Sequence, residues 1–299
     1  MAVYIIWGST YLAIRFVIDT LPPFFMAGTR FALAGAILYL WTRLRGAERP
    51  TRSHWKSALV VGGLMLLGGH GAVIWAEQWV ASGLVSLLLA TVPLWMALIS
   101  WIRDGSTPNA RVAGGLALGF AGVALLIGRI ETSGESSIVL VGAIVVVMGA
   151  FLWANGSLYS RSARFPSSQL LAAAMEMIAG SALLLLTSLA MGEYATIRFD
   201  QVSERSMFSW LYLVIFGSLI AFTSYIWLLK ATTPARVSTY AYVNPIVALF
   251  LGWALADEQL TLQNIAAAAV ILTSVVIITA SQTQDKTKEK QVTATDATI

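Results

Sequence analysis

Residues 138–160 have the sequence IVLVGAIVVVMGAFLWANGSLYS, 23 residues without a charged side chain. As an α-helix this stretch would be about 34 Å long, which is enough to cross the ~30 Å hydrocarbon core of a bilayer. It shows no alternation of apolar and polar residues, so it does not fit a strand of a membrane β-barrel. The stretch therefore predicts a transmembrane helix.

Similar apolar stretches recur along the chain, separated by short segments that contain the turn formers Pro and Gly. The ten predicted spans are 2–19, 22–42, 57–78, 82–102, 110–128, 138–160, 168–191, 208–229, 236–256 and 262–281. The first is expected to be a span and not a cleaved signal peptide, since it lacks a basic start and a cleavage site. Residues 283–299 are polar and are predicted to form a disordered cytoplasmic tail. The sequence thus predicts an all-α membrane protein with ten transmembrane helices.

The composition agrees with a protein solvated by lipid. Of 299 residues, 58% are hydrophobic and 11% are charged, whereas soluble domains carry roughly 25% charged residues. The chain has no cysteine, which excludes disulfides, thiolate metal sites and iron–sulfur clusters. We expect no metal and no cofactor.

The distribution of Lys and Arg predicts the orientation in the membrane. With the N-terminus in the cytoplasm, 14 of these residues fall in inner loops and the tail, and 3 fall in outer loops. This bias predicts a multi-pass protein of the plasma membrane, in bacteria the inner membrane, with both termini cytoplasmic. The net charge of +4 is then a signal of topology, and no nucleic-acid partner is expected.

The two halves of the chain align with each other. We assign one five-helix repeat to residues 1–130 and a second to residues 137–282. The matched pairs are Trp7 and Trp153, Arg15 and Arg161, and Arg30 and Glu176 at an offset of 146, and Trp75 and Trp227, Ser86 and Ser238, and Pro93 and Pro245 at an offset of 152. Because five is an odd number, the second copy enters the membrane upside down, which is typical of secondary transporters with a central cavity.

Several short motifs resemble the drug/metabolite transporter superfamily, in particular its ten-helix EamA-type branch. They are Trp7–Ala13 in the first span, Arg30 in the second, Trp75–Gln78 at the end of the third, Ala90–Trp95 in the fourth and Tyr242–Pro245 in the ninth. The resemblance implies a central cavity lined by spans one to four and six to nine, with spans five and ten behind them. It also implies transport of small metabolites such as amino acids. Where related chains often carry Asn, this chain has His70.

Ionisable side chains at membrane depth are costly and mark functional sites by default. Arg30 and Glu176 occupy matched places near the midplane, and we expect them to bind the substrate, Arg30 a carboxylate and Glu176 an ammonium group. The alternatives are a structural ion pair between the two, or an Arg30 held by carbonyl groups beside a neutral Glu176.

His70 lies among glycines, and Glu77 follows seven residues later on the same helical face. These two residues are candidates for proton coupling. The alternative is a His70 that only forms a hydrogen bond to a neighbouring helix.

Aromatic and amide side chains inside the spans are candidates for the wall of the cavity. The substrate-binding candidates besides Arg30 and Glu176 are Trp7, Trp153, Asn155, Tyr225, Tyr240 and Asn244. For each of them helix packing is the alternative. Pro93 and Pro245 interrupt their helices at matched positions and are predicted hinges, or static kinks.

These features predict a secondary transporter of small metabolites, an amino-acid or related exporter or permease that works by alternating access. The alternatives are a proton-coupled exporter of cationic drugs and a channel-like facilitator. No motif of an enzyme or of ATP coupling is found, so we expect no enzymatic activity. The expected partners are a small-molecule substrate, the lipid bilayer and protons, with the protein a monomer or a dimer.

Overall fold

The computed structural model describes residues 2–104, 109–127 and 136–296. Within these ranges the chain is helical and forms no strand. The ten helices of at least 16 residues in the described part of the chain are α1 Ala2–Ile18, α2 Pro23–Leu44, α3 Arg52–Ala76, α4 Ser82–Arg103, α5 Ala110–Ile127, α6 Ser136–Ser162, α7 Gln169–Ala190, α8 Glu204–Ala231, α9 Tyr240–Leu255 and α10 Leu262–Asp296. Eight of them are long and apolar enough to cross a membrane, and α1 and α9 are shorter apolar helices. The all-α fold predicted from the sequence is confirmed.

Helix boundaries recur at the two offsets found in the sequence. Helix α2 ends before Gly46, with φ +85°, and α7 ends before Gly192, with φ +74°, which lies 146 residues further on. Glycine adopts this left-handed conformation without a steric penalty, so it stops both helices at the same place. Thr51 and Ser203, 152 residues apart, cap the starts of α3 and α8 through their side-chain oxygens. The caps explain why both helices begin several residues before the apolar stretches that predict them.

Helices α3 and α8 each contain a π-helical segment near the middle of the span. The segments are Gly62–His70 and Leu213–Phe222, and their last residues are 152 apart. In a π-helical turn the backbone hydrogen bonds join residues five apart instead of four, and such segments often occur at functional sites. His70 is the last residue of the π-helical segment of α3.

Helices α2 and α7 pack closely because small residues line their contact. A methyl group on Gly28 would lie 2.6 Å from Cδ2 of Leu185, and one on Gly35 would lie 2.9 Å from Cγ1 of Ile178. The two helices are antiparallel, because Gly35 follows Gly28 by seven residues in α2 while its contact Ile178 precedes Leu185 by seven residues in α7. This register fixes the relative heights of Arg30 and Glu176.

Helices α5 and α10 pack against each other in the same manner. A methyl group on Gly115 would lie 2.7 Å from Cγ1 of Ile278, and one on Gly122 would lie 2.8 Å from Cγ1 of Ile271. The small residues Gly115 and Gly122 of α5 therefore pack against α10 within the molecule. Large apolar side chains such as Leu40 and Phe250 are exposed on the outer surface, where lipid would cover them.

The two predicted hinge prolines lie in different local structures. Helix α4 is interrupted between Leu89 and Val92, and Pro93 is the second residue of the new segment, where its missing N–H costs little. Pro245 lies inside the continuous helix α9. Their role as hinges stays a prediction.

The last helix extends further than the sequence indicates. We expected disorder from residue 283, but α10 continues to Asp296, and residues 297–299 lie outside the described part of the chain. Residues 283–296 contain three Lys, two Gln and one Glu, which are good helix formers. Extending an existing helix also avoids the cost of nucleation.

Candidate functional site

A narrow cavity of about 50 Å³ lies between the two halves of the molecule. That space is enough for a few water molecules. Its lining residues are Trp7, Thr10, Tyr11, Ile14, Arg30, Phe31, Gly69, His70, Val73, Leu89, Trp153, Gly217, Phe222 and Tyr240. Ten of these 14 belong to the first half and four to the second, so the cavity is not symmetric.

Arg30 is the charged residue of this lining, and its side chain is only 2% exposed. Its Nε donates to Oγ of Ser218 over 2.8 Å, and its Nη1 lies 3.2 Å from Nε2 of His70. The guanidinium carbon lies 4.7 Å from the centre of the Phe31 ring. None of these contacts among the described residues is acidic, so the guanidinium lacks a compensating anion there.

The contact with Arg30 defines the state of His70. A guanidinium has donors and no acceptor, so Nε2 of His70 must accept and therefore carries no proton. The imidazole also packs edge-on against Phe31, with ring centres 5.2 Å apart. His70 thus positions Arg30 as a neutral side chain.

Three aromatic rings, those of Trp7, Trp153 and Tyr240, form one wall of the cavity, and Tyr225 packs against them without lining it. Trp7 packs against Trp153 at 5.5 Å, Tyr225 at 4.9 Å and Tyr240 at 5.3 Å between ring centres. Tyr225 lies behind the other three and is fully buried. Edge-on and tilted packing of this kind makes a rigid apolar wall.

Glu176 does not line the cavity. In the register of α2 and α7, Arg30 is level with Leu183, and Glu176 lies seven residues before Leu183 in α7, about 10 Å along the helix axis. Its Oε1 accepts from Oγ of Ser160 over 3.3 Å, and its Oε2 has no partner among the described residues. The structure thus places Arg30 and Glu176 at different depths and gives no ion pair between them.

Ser160, which donates to Glu176, is followed by further buried hydroxyl groups on α6 and α8. Ser157 donates to the backbone oxygen of Trp153 over 2.7 Å and forms a hydrogen bond of 2.7 Å with the hydroxyl of Tyr225. Since the Ser157 proton is already used, the Tyr225 hydroxyl is the donor of that bond. Glu176, Ser157, Ser160 and Tyr225 are all at most 1% exposed. We call these four residues the occluded polar cluster.

Glu77 follows the last residue of α3 and is fully buried. Its backbone oxygen accepts from Nη1 of Arg15 over 2.6 Å, while neither carboxyl oxygen has a hydrogen-bond partner among the described residues. It lies one helical turn beyond Val73 and near Tyr11, which both line the cavity. The carboxyl group is therefore close to the cavity, and it interacts electrostatically with Arg15 and Glu258 without a hydrogen bond among the described residues.

The two candidate asparagines bind backbone groups instead of the cavity. Nδ2 of Asn155 donates to the carbonyl of Phe151, four residues earlier, over 2.9 Å. The amide of Asn244, oriented to suit its neighbours, donates to the backbone oxygens of Tyr4 and Tyr240. Their role in substrate binding stays a prediction without support from the lining.

A wider pocket of about 520 Å³ lies where α1 meets α2. It begins at Ile18, one helical turn beyond Ile14 of the cavity, and includes Asp19, Trp79 and Arg198. Glu193 closes its edge by accepting from the backbone N–H groups at the start of α2. We call this polar pocket, which begins one helical turn beyond the cavity along α1, the vestibule.

Ser218 and Gly217 contribute to the site and were not among the residues expected from the sequence. Ser218 accepts a hydrogen bond from Arg30, and a methyl group on Gly217 would lie 2.6 Å from Nη2 of Arg30. Both lie in the π-helical segment of α8. Their only signal in the sequence is a Gly-Ser pair within an apolar run.

Comparisons with known proteins agree with these observations. The EamA-like transporter family matches residues 1–128 and 140–280. The "Uncharacterized inner membrane transporter YedA" of Escherichia coli is 37% identical over 279 residues, 93% of this chain and 88% of that protein. A "Probable amino-acid metabolite efflux pump" of the same species is 24% identical over 93% of this chain and 92% of that protein.

A solved crystal structure with 21% sequence identity has a TM-score of 0.67 and covers 93% of this chain and 95% of its own; at this identity it supports the fold alone. The fold, the cavity and the relatives together define a multi-pass membrane transporter. The chain belongs to the EamA-like transporter family.

Proposed function

We propose that this protein is a secondary transporter of small metabolites that bear a carboxylate, amino acids in particular. The observation that carries the proposal is the buried guanidinium of Arg30, which lines the cavity without an acidic partner among the described residues. A buried cation is strongly unfavourable unless an anion compensates it. A substrate carboxylate would supply that anion and could be bound through two parallel hydrogen bonds.

The surroundings of Arg30 support this role. Ser218 and His70 take up one N–H on each of two nitrogens of the guanidinium, which leaves donors for a ligand. The aromatic wall of Trp7, Trp153 and Tyr240 offers apolar contact for a side chain. The cavity is small in this state, so binding of a metabolite requires the two halves to move apart.

Alternating access is the mechanism that fits the arrangement. The vestibule begins one helical turn beyond the cavity along α1 and would be the access path from one face, while Trp153 and Tyr240 line the cavity from the second half. Rocking of one five-helix copy against the other would open the opposite face, with Pro93 and Pro245 as candidate hinges. From the excess of Lys and Arg in one set of loops we infer that both termini are cytoplasmic.

Proton coupling at Glu77 would supply the driving force. The second half contains an equivalent contact. Nη1 of Arg161 donates to the backbone oxygen of Leu229, as Nη1 of Arg15 does to that of Glu77. Leu229 lies 152 residues after Glu77 and satisfies the same contact without a carboxyl group. A buried carboxyl group without donors is accommodated as the neutral acid, so Glu77 is the better proton carrier of the two candidates.

The alternative of a cationic-drug exporter is supported by the aromatic wall, which could bind an organic cation. The guanidinium of Arg30 in the same cavity opposes it, because like charges repel more strongly at low dielectric. A channel would conduct ions across a planar bilayer, whereas a transporter of this kind would give no unitary currents.

Counterflow in proteoliposomes tests the proposed function. Vesicles loaded with one unlabelled compound would be diluted into its labelled form, with amino acids, sugars and cationic dyes as the panel. We expect accumulation of amino acids and none of dyes. Accumulation of dyes alone would contradict the proposal.

A further inference from the structure

The occluded polar cluster has counterparts in the cavity. At the offsets of 146 and 152, Glu176 corresponds to Arg30, Ser160 to Ile14, Ser157 to Tyr11 and Tyr225 to Val73. All four of these counterparts line the cavity. The four residues of the cluster therefore occupy the positions in the second half that correspond to four residues of the cavity wall in the first half.

We propose that the occluded polar cluster is a second binding site, specific for an ammonium group, which lines the cavity of the opposite-facing state. The proposal rests on the proposed transport function and adds that the charge of the site changes sign between the two states. Arg30 then binds the carboxylate of a zwitterion from one face, and Glu176 binds its ammonium group from the other.

The chemistry of the cluster fits this ligand. Oε2 of Glu176 is buried and has no partner among the described residues, and three hydroxyl oxygens lie on the adjoining helices. An ammonium group has three donors and needs acceptors of this kind. In the counterpart wall these positions hold a guanidinium, two apolar side chains and a tyrosine, which would not bind an ammonium group.

The asymmetry of the cavity supports the exchange. Inverted copies interchange their conformations when a transporter changes the side to which it opens. Since ten of the 14 lining residues come from the first half here, the opposite state should take most of its lining from the second half. Glu176, Ser160 and Ala241 would then replace Arg30, Ile14 and Leu89.

Single cysteines test the geometry without knowledge of the substrate, because the natural chain contains no cysteine. The variants are Ile14→Cys and Leu89→Cys, with their counterparts Ser160→Cys and Ala241→Cys. Ile271→Cys, buried between α5 and α10, is the control for a site outside both cavities. A membrane-impermeant maleimide is added to one side of the membrane at a time.

We expect the first two cysteines to react from one side and their counterparts from the opposite side, while the control reacts from neither. Reaction of all four from the same side, or no reaction at Ser160→Cys and Ala241→Cys, would overturn the proposal. Either result leaves the counterflow outcome unaffected, so the two proposals fail separately.

Charged thiol reagents test the sign of the site. Ser160→Cys should react about tenfold faster with a cationic methanethiosulfonate than with an anionic one, because a nearby carboxylate concentrates cations. Glu176→Gln in the same chain should abolish this preference. Ile14→Cys should show the reverse preference, which Arg30→Gln abolishes. Equal rates for both reagents at Ser160→Cys would contradict an ammonium site.

Discussion

Nη1 of Arg30 and Nε2 of His70 lie 3.2 Å apart in the wall of the cavity, so a neutral imidazole holds the guanidinium that we assign to substrate binding. This contact makes His70 a positioning residue. Its counterpart Phe222 also lines the cavity and packs against Phe31 at 6.2 Å between ring centres, but offers no acceptor.

His70→Phe should therefore weaken substrate affinity about tenfold, the equivalent of one hydrogen bond to a charged group. The expected readout is a higher KM with kcat nearly unchanged, measured by amino-acid uptake into proteoliposomes. His70→Asn retains an acceptor and should lie between wild type and His70→Phe. Identical KM values for all three proteins would show that His70 does not position Arg30.

Replacement of Glu77 separates transport from proton coupling. Glu77→Gln and Glu77→Leu should both fold, since Leu229 occupies the equivalent place. Both should still exchange amino acids across the membrane but should lose uptake driven by a pH gradient, measured with a pH dye inside the vesicles. Acidification of the lumen coupled to amino-acid entry in Glu77→Leu would rule out this residue as the proton carrier.

The contact of α2 with α7 should be sensitive to a single methyl group. Gly28→Ala places that group 2.6 Å from Cδ2 of Leu185, and overpacking of this kind costs about 1–3 kcal/mol of unfolding free energy. Gly114→Ala is the matched control, because nothing lies within 4 Å of the added methyl group. Thermal unfolding in detergent should show a lower Tm for Gly28→Ala only.

A loop contact should make stability depend on pH. Glu48 accepts from the backbone N–H of Ser167 over 2.6 Å and from its hydroxyl over 3.1 Å, which lowers the pKa of Glu48 below its ordinary value of 4.5. A lowered pKa means that the contact contributes its stability above the ordinary value and loses it as the pH falls through the lowered one.

Glu48→Gln should thus have a slightly lower Tm than wild type at neutral pH, and the difference should vanish in acid. The effect is small because Glu48 is exposed. A difference in Tm that persists unchanged at acid pH would show that the carboxylate is not its source.

Much of the fold could be predicted from the sequence, because a bilayer requires long apolar helices and these are visible as runs of residues. Arg30, Trp7, Trp153, Tyr240 and His70 could be selected from the sequence by residue type within the spans, and all five line the cavity, while their roles stay predictions. The helix starts at Thr51 and Ser203 were not anticipated, since polar first turns interrupt the apolar pattern.

The relative depth of Arg30 and Glu176 could not be predicted, because it depends on the register of α2 against α7. That register is set by how Gly28 and Gly35 fit Leu185 and Ile178, which is a property of tertiary packing. The partners of Arg30 in the π-helical segment of α8 were missed for the same reason, since a π-helix changes which residues face inward.

The most direct measurement of the central claim is amino-acid counterflow by wild type and Arg30→Gln, each in the presence of an N-acetylated amino acid or an amino-acid amide. If Arg30 binds the carboxylate, wild type is inhibited by the N-acetylated compound, and Arg30→Gln loses that inhibition together with about 100-fold of its transport efficiency. Counterflow by Arg30→Gln at the wild-type rate, with the same inhibition, would contradict the assignment.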